Sequence, residues 1–72
     1  MRLTDGKINN IYIVESIEIV DKDALNKISS MGILPGTELI LLQKKPTLVF
    51  KMYNSRFAID NFLGGKIYVR AL

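Results

Sequence analysis

The side chains able to do chemistry in this sequence are its acids, its lysines and arginines, its hydroxyls and three tyrosines, because histidine and cysteine are both absent. Without them there is no ordinary nucleophile–base dyad and none of the usual soft or imidazole metal ligands. The hydroxyls sit in no nucleophile-elbow or phosphate-loop context, and Gly64-Gly65 is too short to cradle a phosphate. Asp21, Asp23 and Glu38 could assemble a carboxylate-only metal site. The two aspartates, however, open a helical stretch, where capping explains them better. The expectation is a protein that is not an enzyme, with no cofactor and no metal site.

What remains is charge. Residues 1–38 hold four bases against six acids, whereas residues 39–72 hold six bases against Asp60 alone. Such asymmetry suits an acidic partner surface, or a solubilising coat on apolar strands. Lys44, Lys45, Lys51 and Arg56 lie on or beside one predicted hairpin, and Tyr53 shares a strand face with Lys51. They are expected to be near one another and to rim the strand at 39–42, which is apolar on both faces. That composition fits a protein-docking face. A nucleic-acid platform could draw on Tyr53, Arg56, Tyr68 and Arg70, but a dedicated binder carries a stronger basic excess, so nucleic acid is not the expected partner.

The elements that must position these groups centre on Met31-Gly32-Ile33-Leu34-Pro35-Gly36-Thr37-Glu38-Leu39. Gly32 falls where a helix ends in a left-handed residue, and Pro35-Gly36 is the chemistry of a type II turn. Before them, Ala24, Leu25, Ile28 and Met31 recur at helical spacing behind Asp21 and Asp23. Residues 11–20 are rich in β-branched side chains and read as one long strand, or two. Ile11, Ile13, Ile17 and Ile19 share one parity, which carries Glu15 inward with them. A bulge near Glu15-Ser16 would instead let Val14 and Ile17 face one core. The two registers stay open. Strands follow at 37–43, at 48–53 and at 56–60 after an Asn54-Ser55 turn. A compact turn at 61–65 leads to a last strand at 66–71 with Ile67, Val69 and Ala71 inward. Leu3 and Ile8 are candidate anchors in the lead-in.

Seventy-two residues make one domain, near the lower limit for a self-sufficient core. The longest apolar run, residues 39–42, is far short of the ~20 that span a bilayer. With an early acid and no apolar signal core, the chain is expected to be cytoplasmic, without membrane insertion. Self-association is left open. About five short strands, one short helix and tight turns predict a mainly β fold, a small antiparallel barrel over 1–72.

The run from Ala24-Leu25-Asn26-Lys27-Ile28 into Met31-Gly32-Ile33-Leu34-Pro35-Gly36-Thr37-Glu38-Leu39, then Arg56-Phe57-Ala58-Ile59 and Ile67-Tyr68-Val69, resembles the FeoA family of small accessory proteins of bacterial ferrous-iron uptake. That family's pattern is a leucine-rich helix entering Leu-Gly-Ile-x-Pro-Gly-x-x-Ile, with a later Ala-Leu strand and an Ile-x-Val ending. A similar domain closes some iron-dependent repressors. The resemblance implies an SH3-like barrel that engages the cytoplasmic part of the membrane GTPase transporting ferrous iron. Departures exist: Asn26 and Lys27 stand where an Arg is frequent, Lys45-Pro46-Thr47 replaces a Gly-Asp-Pro, and Gly64 stands where Ala is usual. Gly32, Pro35 and Gly36 match as determinants of the fold.

Overall fold

Alternating apolar side chains build the walls of the core, and the computed structural model, which describes residues 1–18 and 21–72, shows which parity faces inward. The strands are β1 (Ile11–Ile17), β2 (Glu38–Gln43), β3 (Leu48–Met52), β4 (Ser55–Ile59) and β5 (Ile67–Ala71). They form one antiparallel sheet in the order β4-β3-β2-β1-β5. The architecture is the small, mainly β, SH3-like fold expected. Helix α1 (Lys22–Ser30) links β1 to β2, and the single turn α2 (Asn61–Gly64) links β4 to β5.

The undecided register of β1 resolves in favour of the bulge. Val14 pairs with Val69 and Ser16 with Tyr68, leaving Glu15 as the extra residue. Tyr12 and Val14 are buried and Ile17 packs against the core, while Ile11 is exposed. The bulge flips parity midway, so Glu15 stays in water. The predicted continuation through Ile19 and Val20 lies outside the described residues.

Leu39, Leu41, Leu48, Phe50, Met52, Ile59, Ile67 and Val69 complete the inner walls, and Leu3, Ile28, Ile33 and Leu63 close the ends. Three expectations are corrected. Ile8 and Ala71 are exposed rather than inward. The hairpin loop is Tyr53-Asn54, not Asn54-Ser55, because Met52 pairs with Ser55 and Phe50 with Phe57. Both loop residues have positive φ, 52° and 61°, the two-residue geometry whose twist suits a hairpin. Alternation could not decide this, since moving the loop by one residue pairs the same inward set.

Closure of the barrel is also not strand-to-strand. Among the described residues β4 and β5 do not pair with each other. The N-terminus instead covers β5: the Val69 amide donates to the Met1 carbonyl at 2.7 Å, and Arg2 bridges to Tyr68. Thus the edge left by a short sheet is blunted by the chain's own lead-in.

Local chemistry in the helix-to-strand corner matches expectation. Asp21 caps α1, its carboxylate accepting from the Ala24 amide at 2.7 Å. Gly32 follows with φ 82°, and its amide donates to the Ser29 carbonyl at 2.9 Å. Ile33 then folds back to full burial. A Cβ at Gly32 would meet only the Tyr53 ring, at 3.6 Å, an ordinary contact. Gly32→Ala is therefore expected to cost about 1 kcal/mol through backbone conformation alone. Chemical denaturation checks this; an unchanged midpoint would refute it.

Candidate functional site

One cross-strand row runs over the outer face of the sheet. Ile11 pairs with Ile40, Ile40 with Lys51, and Lys51 with Arg56. Because the flanking residues Tyr12, Leu39, Leu41, Phe50 and Met52 point into the core, alternation turns this row outward. It starts with two isoleucines, one 42% exposed and one half-buried, and ends in two exposed cations. Like charges directly opposite on neighbouring strands repel, and among the described residues neither cation is in an ion pair. Among the described residues the one ion pair is Arg70 with Glu15, at 3.8 Å on the surface.

Tyr53 stands at the end of this row. Its hydroxyl lies 3.4 Å from Thr37 Oγ1, so the ring leans toward the Pro35-Gly36 corner while staying 68% exposed. With Glu38, Ile11, Ile40, Lys51 and Asn54 it lines a groove of 230 Å³. The corner itself is locked to β1: the Gly36 amide donates to Val14 O at 2.8 Å, and the Val14 amide to Thr37 O at 2.9 Å.

The five residues expected to cluster are divided. Lys51, Tyr53 and Arg56 gather at the Tyr53-Asn54 end of the hairpin. Lys44 and Lys45 lie at the other end of β3, whose five residues span roughly 15 Å. There they line a second concavity, of 480 Å³, with Arg2 and Lys66. Alternation with inward Ile67, Val69 and Ala71 predicts an outward Lys66. It is instead 6% exposed, just before β5, with its ammonium 4.2 Å from the centroid of the Phe62 ring. The spacing of four between Phe62 and Lys66 was the signal available. The tyrosines and arginines of a nucleic-acid platform do not assemble. Tyr53 and Arg56 belong to the β3–β4 hairpin, whereas Tyr68 and Arg70 lie on β5 at the far edge of the sheet order. Arg2 lies 5.6 Å from the Tyr68 ring centroid, and Arg70 is paired with Glu15.

Among the described residues no three acids gather into a metal-holding group, and Asp21 is committed to its helix cap. No helix among them is long and apolar enough to cross a membrane.

The fold recurs in known structures. The crystal structure of an iron uptake regulatory protein, FeoA, is 29% identical with a TM-score of 0.88, over 100% of this chain and 96% of that one. A FeoA-like protein from Clostridium acetobutylicum superposes with a TM-score of 0.86 at 23% identity, covering 100% of this chain and 86% of its own. A manganese-dependent transcriptional repressor shares the fold at 17% identity and a TM-score of 0.92, this chain matching 41% of its length. No curated protein matches the sequence significantly. The model of the FeoA domain family matches residues 1–71, nearly the whole chain, and the protein belongs to that family.

Proposed function

We propose that this domain is a non-enzymatic accessory protein of ferrous-iron uptake that docks on the cytoplasmic domain of the membrane GTPase transporting the ion. Family membership implies a role in ferrous-iron transport. The observation that carries the docking surface is the outer row Ile11, Ile40, Lys51 and Arg56, ending beside exposed Tyr53. It combines apolar area that can hold a partner with positive charge, in no ion pair among the described residues, that can steer an acidic one. Residues 43–59 contain four bases and no acid, so the whole hairpin presents one sign of charge. Lys44 and Lys45 add to that field from the far end.

The test is Lys51→Glu combined with Arg56→Glu. Both side chains are exposed, and the swap replaces one like-charge pair by another, so the fold should be unaffected. Association with the GTPase domain should slow by about tenfold near 0.01 M salt. The difference should shrink at 0.1 M, where the Debye length has fallen from about 30 to about 10 Å. Equal association of parent and variant across salt would sink this surface. Steeply salt-dependent binding to single-stranded nucleic acid, with none to the GTPase, would favour a nucleic-acid barrel instead.

A further inference from the structure

The second concavity adds to Lys44 and Lys45 two cations, Arg2 and Lys66, that the docking face does not draw on. Four cations, Arg2, Lys44, Lys45 and Lys66, line it against one acid, Glu18. Its 480 Å³ lies within the size of small-molecule sites. Three of the cations are ordinary surface or half-buried groups; Lys66 is not. Lysine is almost never fully buried unless paired, because withdrawing its ammonium from water is costly. Here the residue as a whole is 6% exposed, its stem covered while the ammonium still reaches solvent, and among the described residues no carboxylate lies within ion-pair distance of it. Its neighbour is the face of Phe62, itself 69% exposed on the rim.

The backbone explains why the side chain is held there. The Lys66 amide donates to the Leu63 carbonyl at 3.0 Å, closing α2, and the Lys66 carbonyl accepts from the Glu18 amide at 2.7 Å. Ile67, the next residue, is fully buried. The Lys66 backbone is thus fixed on both sides, and its side chain starts from a held position beside the concavity. Packing of the stem alone would be served by an apolar residue. The Glu18 carboxylate accepts from the Tyr68 hydroxyl at 3.4 Å, and offsets one of the four charges.

We infer that this concavity binds a small phosphate-bearing molecule, with Lys66, its stem packed into the wall, as anchor, Arg2, Lys44 and Lys45 as further cations, and Phe62 as an apolar wall. Four cations against one carboxylate suit a dianion better than a single carboxylate. Charge-assisted hydrogen bonds to phosphate oxygens are the strong kind, and the exposed ring offers area to an organic substituent. This site is separate from the Lys51–Arg56 row, so either can fail without the other.

Backbone-amide NMR of the labelled protein, titrated at constant ionic strength with inorganic phosphate, phenyl phosphate, acetate and chloride, tests it. Phosphate should give saturable shifts confined to residues 2–4, 44–48 and 61–66. Phenyl phosphate should bind more tightly through the ring, and acetate and chloride at least about tenfold more weakly. Lys66→Met, which keeps the stem and removes the charge, should weaken phosphate by about tenfold. Glu18→Gln should tighten it, and Lys51→Glu should leave it unchanged. Should Lys66→Met fail to fold, Arg2→Gln with Lys45→Gln alters exposed residues only and should also weaken binding. Phosphate shifts indistinguishable from those of chloride, or affinity unaffected by both the Lys66 and the Arg2–Lys45 changes, would overturn the assignment.

Discussion

Phe50→Ala is expected to destabilise the domain by about 3–5 kcal/mol, the range for emptying a fully buried aromatic site. Phe50 is entirely buried on β3, between Leu41 on β2 and Phe57 on β4 as cross-strand partners. Its ring is offset-stacked on Phe57, with centroids 5.9 Å apart and planes 18° from parallel. Both inter-strand seams therefore lose packing at once, and a rigid sheet collapses poorly around the cavity. A 72-residue domain has a total stability of roughly 4–11 kcal/mol, so the variant should be largely unfolded or should melt far below the parent. Phe57→Ala, removing a half-buried ring from an edge strand, should cost distinctly less. Thermal and urea melts of the two variants decide the point. A smaller loss at Phe50 than at Phe57 would mean that the centre of the core lies elsewhere.

The second large effect is expected at the corner between α1 and β2. Gly36→Val should cost about 1–3 kcal/mol, because Gly36 has φ 93° and a β-branched residue is badly strained there. Apart from its two chain neighbours, no residue has an atom within 4 Å of the position a Cβ would take, so the loss is conformational and not crowding by packed neighbours. The turn is closed by the Thr37 amide donating to the Leu34 carbonyl at 3.0 Å, with Pro35 supplying the preceding φ. Gly36→Asn, which tolerates left-handed backbone better, should cost less than Gly36→Val. Equal urea midpoints for Asn, Val and parent would show that the positive φ contributes nothing to stability.

The two predictions depend on different kinds of information. Gly36 was legible from its neighbours, since Pro-Gly between a helical and a strand pattern specifies a backbone conformation locally. The same holds for Asp21, for Gly32 and for the inward set Leu48, Phe50 and Met52. The bulge in β1 was one of two registers the chain left open, suggested by a Glu that would otherwise have to be buried, and the pairing with β5 chose it. For the caps and turns the deciding physics acts over a few residues: a cap satisfying free amides, or a φ that only some residues adopt.

The candidate sites were less legible. Proximity in sequence suggests that Lys44, Lys45, Lys51, Tyr53 and Arg56 cluster, yet β3 holds Lys44 and Lys45 apart from the other three. Tyr53 proved to be a turn residue because two loop placements share one alternation, and pairing of Phe50 with Phe57 selected between them. Lys66 gave only a weak local sign, its spacing of four from Phe62, since the rest of its cover comes from the chain passing at Glu18. Gly64 carries the same lesson: a Cβ there would meet the Leu48 side chain at 2.5 Å, so a large residue on β3 occupies the space that the family's usual alanine would need.

What the sequence by itself determined was therefore the order of elements, the corner, the caps, the mainly β class and the absence of histidine and cysteine chemistry. The tertiary structure alone decided which edge the N-terminus covers, which cations share a cavity and which lysine is buried. Those outcomes depend on contacts between residues far apart in the chain, such as Met1 with Val69 and Glu18 with Lys66. Such pairs become neighbours only when the sheet has bent and closed, and no local propensity encodes them.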